Sequence, residues 1–133
     1  MKINLRRSGE FKKVYQEGKR YQGTLITAFV LANDCGNHRL GVTVSRKISA
    51  AAVGRNRAKR LLRETFRLKS DSLGKLKQNY DWVLNGRHAL LSVKIWAPLE
   101  EFERIVQRVA ADEGNLSRGQ SRHDREVSAN CIT

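Results

Sequence analysis

The sequence predicts a small α+β domain, and three observations support this fold class. Short runs of strand-forming apolar residues occur at 25–32 and 80–84, whereas helical periodicity occurs at 53–66 and 98–109. The 133 residues, 40% of them hydrophobic, suffice for one hydrophobic core but not for two. We therefore expect a single packed domain over residues 1–111.

The first predicted element is a short amphipathic helix. Ser8 is a residue type that helix N-caps prefer, and Gly18 is a natural helix stop. Phe11, Val14 and Tyr15 fall on one side of this helix. The two aromatic residues either pack in the core or form a partly open platform on which nucleic-acid bases stack, and the sequence leaves both readings open.

Two strands and a groove are predicted next. Residues 25–32 are almost continuously apolar, and residues 40–45 alternate apolar with small or hydroxyl side chains. We expect these segments to pair as a hairpin across the turn at 33–37. The small side chains of the second strand could line a groove that a nucleotide backbone approaches, with Arg46 and Lys47 at its rim.

The basic helix predicted over residues 53–66 has the most distinctive pattern. At about 100° per residue its apolar residues share one face, and its basic residues gather on the opposite one. Five basic residues lie between Arg55 and Arg63 with no acid among them, and like charges one turn apart repel. A polyanionic partner would relieve that repulsion. The alternative is an ordinary solvated helix face.

The second half of the chain contributes a strand, a helix and a tail. We expect the strand at 80–84 to end or bulge at Asn85 and Gly86, which are poor strand residues. A helix starting at Pro98 carries the next apolar stripe. Residues 112–133 have almost no apolar periodicity, so a disordered tail is predicted there.

Charge and composition restrict the function. The net charge of +13 is concentrated in residues 1–20 and 39–69, and it predicts RNA, DNA or an acidic membrane surface as partner. No apolar run is long enough to span a membrane and no signal peptide is evident, so we expect a cytoplasmic protein. Cys35 and Cys131 are interpreted as unpaired thiols. No carboxylate pair or metal-ligand spacing occurs, so no catalytic residue, metal site or bound cofactor is expected.

Residues 55–63 read RNRAKRLLR, and this segment resembles the RNR signature of the protein subunit of bacterial ribonuclease P. That ribonucleoprotein removes the 5′ leader from precursor tRNA. Two other segments are similar to the same family, FKKVY at 11–15 and RLGVTVSRK at 39–47. The resemblance covers about residues 5–111. It departs at 83–87, where the family usually carries a more apolar strand that ends in Ala-Arg.

The resemblance implies a fold and a division of labour. The fold would be a two-layer sandwich of α-β-β-β-α-β-α order, as in a domain of a ribosomal protein, with a short extra strand near residues 20–23. Its β-α-β crossover would be left-handed, against the usual rule. The RNA subunit would hydrolyse the phosphodiester with Mg²⁺, while the protein binds that RNA and the substrate leader.

The resemblance also implies roles for individual residues. The residues expected to bind the RNA subunit are Arg55, Asn56, Arg57, Lys59, Arg60, Arg63 and Arg67. Those expected to bind the leader, in a groove between the first helix and the sheet, are Phe11, Tyr15, Phe29, Arg46 and Lys47.

Three other functions remain open at this point. A structural RNA-binding protein of ribosomal type would share the charge and the style of fold, but it would not need an aromatic groove. A free-standing nuclease would need a constellation of carboxylates or histidines that the sequence does not suggest. A sequence-specific DNA-binding protein is the least favoured, since no helix-turn-helix spacing is found. Of the three partners that the charge allows, the resemblance to the family leaves RNA, so neither a membrane nor DNA is expected.

Overall fold

The computed structural model describes residue 5 and residues 8–120, with side chains described at residue 5 and residues 9–113. Four helices are present, α1 Ser8–Glu17, α2 Ala52–Leu68, α3 Ser70–Gly74 and α4 Trp96–Gln120. The strands are β1 Lys19–Gln22, β2 Ile26–Asn33, β3 Arg39–Thr43 and β4 Asn79–Gly86, and a 3-10 turn covers His88–Ser92. The predicted α+β class is confirmed, and the order of elements is the predicted one with α3 and the 3-10 turn added.

The four strands form one sheet in the order β1-β2-β4-β3. The predicted hairpin between β2 and β3 is therefore wrong, because β4 lies between them and pairs antiparallel with β2 and parallel with β3. β2 and β4 are buried along most of their length, so they occupy the centre of the sheet. The short strand β1 takes the hairpin position beside β2. The left-handed sense of the β3-α2-β4 crossover stays a prediction from the resemblance.

β4 includes Asn85 and Gly86, whereas the sequence led us to expect it to end or bulge at these residues. Both residues continue the ladder, opposite Thr27 and Ile26 of β2. Glycine fits at position 86 because a Cβ atom there would meet Val44 Cγ2 at 2.9 Å. Close packing against this position thus favours the residue type that propensity alone would exclude from a strand.

The main core lies between one face of the sheet and helices α2 and α4. Trp82 of β4 is fully buried there, with its ring centroid 5.4 Å from that of Phe102 and 6.2 Å from that of Phe66. The predicted apolar face of α2 is confirmed, since its buried residues are Ala58, Leu62, Thr65 and Phe66. Helix α1 covers part of the opposite face, with Val14 fully buried in a smaller cluster that includes Leu31 and Val83.

The end of α4 corrects the predicted start of the tail. The helix continues past residue 111, and Glu113 is buried with its carboxylate accepting hydrogen bonds from the Lys77 N–H at 2.7 Å and the Tyr80 hydroxyl at 3.0 Å. Burial and this carboxylate raise the pKa of Tyr80. Residues 112–120 are therefore helical. The remainder of the predicted tail, residues 121–133, lies outside the described residues.

The turn between β2 and β3 is tied to the body of the protein. Cys35 is disulfide-bonded rather than an unpaired thiol, so that expectation was wrong for Cys35, while Cys131 lies outside the described residues. His38 Nε2 lies 3.1 Å from the Leu73 carbonyl oxygen, and its Nδ1 accepts from the buried Trp82 Nε1–H at 3.2 Å. Burial lowers the pKa of His38, which suits a neutral ring that both accepts and donates.

Candidate nucleic-acid interface

Helix α2 presents its basic face to solvent. Arg60 and Arg63 are exposed and Lys59 is half-buried. Together with Val53 and Asn56 they line a shallow, open concavity on the outer side of the helix. Among the residues that the structure describes, none forms a hydrogen bond or ion pair with the side chains of Lys59, Arg60 or Arg63. Three cationic groups are thus held close together and remain available to a ligand.

Two other predicted arginines hold the surroundings of α2 in place. Arg55 Nη1 donates to the carbonyl oxygens of Ser49 and Ala50, at 3.0 and 2.7 Å, and so fixes the loop that leads into the helix. Arg57 donates to the carbonyl oxygens of Leu91 at 3.0 Å and Val93 at 3.2 Å. These contacts use part of each guanidinium, which has five N–H donors.

Arg67 is paired differently. Its guanidinium makes an ion pair with Glu64 on the same helix, and this contact lowers the pKa of the Glu64 carboxyl. The pair is exposed, and an exposed pair of this kind is worth little energy, so a stronger anion could displace the carboxylate. The seven residues predicted to bind the RNA subunit therefore divide into unpaired cations near the middle of α2, arginines bonded to neighbouring loops, one ion-paired arginine and the exposed Asn56.

The start of α2 adds positive potential to the same surface. Its N-cap is Ala51, which makes no side-chain cap hydrogen bond, and the first turn contains no acidic residue. The N–H groups of a first helical turn have no partner within the helix, and the helix dipole places a partial positive charge there. This end of the helix therefore reinforces the field of the basic residues that follow.

The predicted groove aromatics meet where α1 crosses the sheet. The Tyr15 and Phe29 rings pack edge to face, with centroids 4.8 Å apart and an interplanar angle of 83°. Tyr15 is 38% exposed, whereas Phe29 and Phe11 are half-buried. Phe11 lies on Gly41 of β3, where an added Cβ would come within 2.5 Å of its ring. Phe11 and Phe29 pack against the same small cluster, and Tyr15 is the most exposed of the three rings.

Arg39 is a structural residue that the sequence analysis did not single out. Its guanidinium makes two hydrogen bonds of 2.7 Å to the buried Asp81 and one of 3.0 Å to Glu10 of α1. These contacts raise the pKa of Arg39, with the hydrogen bond to Asp81 as the largest cause. Because the network joins α1 to β3 and β4, it holds the helix over the sheet.

Arg46 and Lys47 are exposed in the loop between β3 and α2. Ser45 begins a turn in this loop, in which its carbonyl oxygen accepts from the Ile48 N–H at 3.0 Å. The loop joins β3 to the basic helix. The two exposed cations therefore precede the start of α2 in the chain.

Metal-binding groups and membrane-spanning helices are both absent from the described residues. In residues 9–113, where side chains are described, no three His, Cys, Asp or Glu residues are grouped so as to hold a metal ion. Within the described part of the chain, no helix is both long enough and apolar enough to span a membrane.

Comparison with known proteins identifies the family. The model of the Ribonuclease P family matches residues 1–110. The ribonuclease P protein component of Clostridium botulinum (strain Loch Maree / Type A3) is 42% identical over 90 residues, which cover 67% of this chain and 78% of the relative. That of Caldanaerobacter subterraneus subsp. tengcongensis is 35% identical over 104 residues, covering 78% of this chain and 86% of the relative.

Solved structures agree with the sequence comparison. The RNase P protein from Thermotoga maritima is 28% identical and superimposes with a TM-score of 0.69 over 79% of this chain and 96% of its own. The Staphylococcus aureus RNase P protein shares the fold, with a TM-score of 0.69 over 82% of this chain and 96% of its own at 21% identity. The resemblance noted from the sequence is confirmed: this chain belongs to the family of ribonuclease P protein components.

Proposed function

We propose that this chain, as the protein subunit of ribonuclease P, uses two surfaces to hold two RNA elements in the bacterial cytoplasm. The basic face of α2 binds the RNA subunit. The groove between α1 and the sheet binds the 5′ leader of precursor tRNA. The observation that carries the proposal is the separation of these surfaces, since α1 and α2 pack on opposite faces of the sheet. One small domain can therefore contact both RNA molecules at once.

The assignment of α2 to the RNA subunit rests on charge density and geometry. Lys59, Arg60 and Arg63 form a cluster on a helix whose other face is buried in the core. A structured RNA offers phosphates in a fixed arrangement, and each phosphate contact releases bound counterions. Cations spaced along a packed helix match such a partner better than they match a flexible strand.

The assignment of the groove to the leader rests on the exposed aromatic surface. A single strand presents unstacked bases, and stacking a base on an aromatic ring is worth about 1–3 kcal/mol. The half-open Tyr15 ring, backed by Phe29, offers such a surface, and Arg46 and Lys47 lie where they can contact phosphates. The groove thus suits a single-stranded leader rather than a duplex.

In this proposal the RNA subunit carries the chemistry, with Mg²⁺. The buried carboxylates described in the protein have structural tasks: Asp81 binds Arg39, Glu113 binds Tyr80, and Glu101 binds backbone N–H groups. The protein contributes by lowering the electrostatic repulsion between the RNA subunit and its substrate. That repulsion is poorly screened when little Mg²⁺ is present.

Reconstitution with a bacterial ribonuclease P RNA tests this division of labour. We expect the protein to increase the single-turnover cleavage rate most at low Mg²⁺, with the gain shrinking as Mg²⁺ rises, because the metal ion supplies the same screening. The measurement is the rate across a Mg²⁺ series with and without protein. A gain that stays constant to high Mg²⁺ would indicate a direct catalytic contact, and cleavage by protein free of RNA would refute the proposal.

Replacement of Tyr15 by alanine tests the groove. We expect the affinity of the holoenzyme for precursor tRNA to fall by about 1–3 kcal/mol, since a stacked base loses its ring, while mature tRNA binds as before. Two binding titrations and a thermal melt measure this. Trp96→Ala is the matched control, because Trp96 is also exposed, at 65%, but begins the helix that packs on the other face of the sheet. Equal losses for precursor and mature tRNA would argue against leader binding here.

A further inference from the structure

Asn85 lies in a polar row that crosses the sheet beside the groove aromatics. It is paired in register with Thr27 of β2 and with Thr43 of β3, and Thr27 is paired with Gln22 of β1. Residues paired across neighbouring strands place their side chains on the same face. The row therefore runs over all four strands. On β2 its member Thr27 lies two residues from Phe29, so the two side chains are on the same face of the sheet. From the sequence alone, Asn85 was expected only to end or bulge the strand.

The Asn85 amide is held in one orientation by two hydroxyl groups. Its Oδ1 accepts hydrogen bonds from the Tyr15 hydroxyl, at 2.9 Å, and from Thr43 Oγ1. Both acceptor sites of this oxygen are then occupied. In the described part of the chain, no residue accepts a hydrogen bond from Nδ2. The half-buried side chain thus keeps two N–H donors for a ligand.

We propose that Asn85 reads the base of one leader nucleotide, by donating from Nδ2 to a ring nitrogen or carbonyl oxygen while that base stacks on Tyr15. This inference rests on the proposed function of the groove. The Tyr15 hydroxyl touches the amide, so a base lying over the Tyr15 ring brings its edge towards Nδ2. The four bases place their acceptors at different positions on this edge, so a donor fixed by two hydroxyls discriminates among them.

The chemistry of the site favours a base over a phosphate. Asn85 is neutral, and charged groups form the stronger hydrogen bonds to phosphate. Arg46 and Lys47, which follow β3 shortly after Thr43, are available for the backbone of the same nucleotides. A contact from Asn85 to phosphate would give affinity without preference for any base, so a comparison of the four leader bases distinguishes the two kinds of contact.

The test uses the holoenzyme reconstituted with a bacterial ribonuclease P RNA. The ratio kcat/KM is measured for precursor tRNAs that carry each of the four nucleotides at successive leader positions. We expect the unchanged protein to prefer particular bases at one position, and Asn85→Val to reduce that preference by about 2- to 10-fold, the effect of one lost hydrogen bond. Asn85→Asp, which keeps the shape but has no donor, should also lose the preference and bind all leaders more weakly.

Asn79→Asp is the control for added negative charge. Asn79 is on the same strand and the same face as Asn85 but about 20 Å away, six residues along β4. This variant should keep the base preference. Tyr15→Phe is a second probe, because it keeps the ring and removes one of the two donors that orient the amide. We expect a smaller loss of preference at the same leader position, even if the Asn85 variants fold poorly.

Two results would overturn the inference. One is an unchanged base preference in Asn85→Val and Tyr15→Phe, and the other is a uniform effect of these substitutions on all four bases. Absence of any base preference in the unchanged protein would overturn it as well. Failure of the proposed function has a different signature, in which the unchanged holoenzyme binds precursor and mature tRNA equally well.

Discussion

Replacing Arg60 and Arg63 together by alanine is expected to weaken binding of the RNA subunit by about tenfold or more at low salt, without lowering the melting temperature. Both side chains are exposed and have no partner among the described residues, so the fold does not depend on them. Each lost phosphate contact should reduce the slope of log affinity against log salt by up to about 0.9, the value for duplex DNA. Titrations of the RNA subunit at several salt concentrations, beside a thermal melt, measure both quantities.

A matched double variant separates this surface from net charge in general. Lys75→Ala with Lys77→Ala also removes two exposed cations, but from the segment between α3 and β4. We expect it to leave the salt slope nearly unchanged. If both double variants reduce the slope equally, the RNA subunit responds to total charge and the assignment of the α2 face is wrong.

Replacing Glu101 by alanine is expected to cost roughly 3–5 kcal/mol of folding free energy, because it leaves buried N–H groups without acceptors. The carboxylate of Glu101, only 6% exposed, accepts from the backbone N–H groups of Thr24 at 2.9 Å, Leu25 at 2.8 Å and Ile26 at 2.7 Å. It thereby fixes the turn between β1 and β2 to α4. This is a large share of the about 5–15 kcal/mol that stabilises a typical domain. Denaturant unfolding of the free protein measures it.

The preceding residue supplies the control. Glu100 is also a glutamate in the first turns of α4, but it is exposed, and its partner among the described side chains is Arg104 at 3.3 Å, one helical turn away. Glu100→Ala should change the free energy of unfolding by less than about 0.5 kcal/mol. Similar unfolding curves for the two variants would show that the turn between β1 and β2 holds without its carboxylate.

Local pattern was sufficient to predict α1, α2 and the first part of α4, but not the short helix α3 or the extent of α4 beyond residue 111. In α2 the apolar and basic residues repeat at the helical period, so the predicted buried face agrees with the structure. The placement of Phe11, Tyr15 and Phe29 where α1 meets the sheet was predicted in another way, from the fold that the family resemblance implied. The first inference used only local periodicity, whereas the second used the family fold.

The order of the strands could not be predicted by the same reasoning. β2 and β3 are neighbours in sequence and look like a hairpin. However, β4, which follows α2 and α3 in the chain, lies between them in the sheet. β4 has apolar side chains on both faces, so the centre of the sheet, where both of its faces are covered, is its most stable position. This position depends on packing across the whole core. The continuation of β4 through Asn85 and Gly86 has the same origin, since its reasons are contacts with Tyr15, Thr43 and Val44.

The sequence by itself determined the charge of this protein, the basic face of α2 and the family to which the chain belongs. Only the tertiary structure decided which charges are free, because partners come together from distant parts of the chain. Arg39 and Arg60 look alike in the sequence, but Arg39 is held by Asp81 and Glu10, whereas Arg60 projects into solvent. Helical periodicity is local, whereas ion pairs and groove walls form between residues tens of positions apart. The availability of a side chain to RNA is therefore a property of the folded chain.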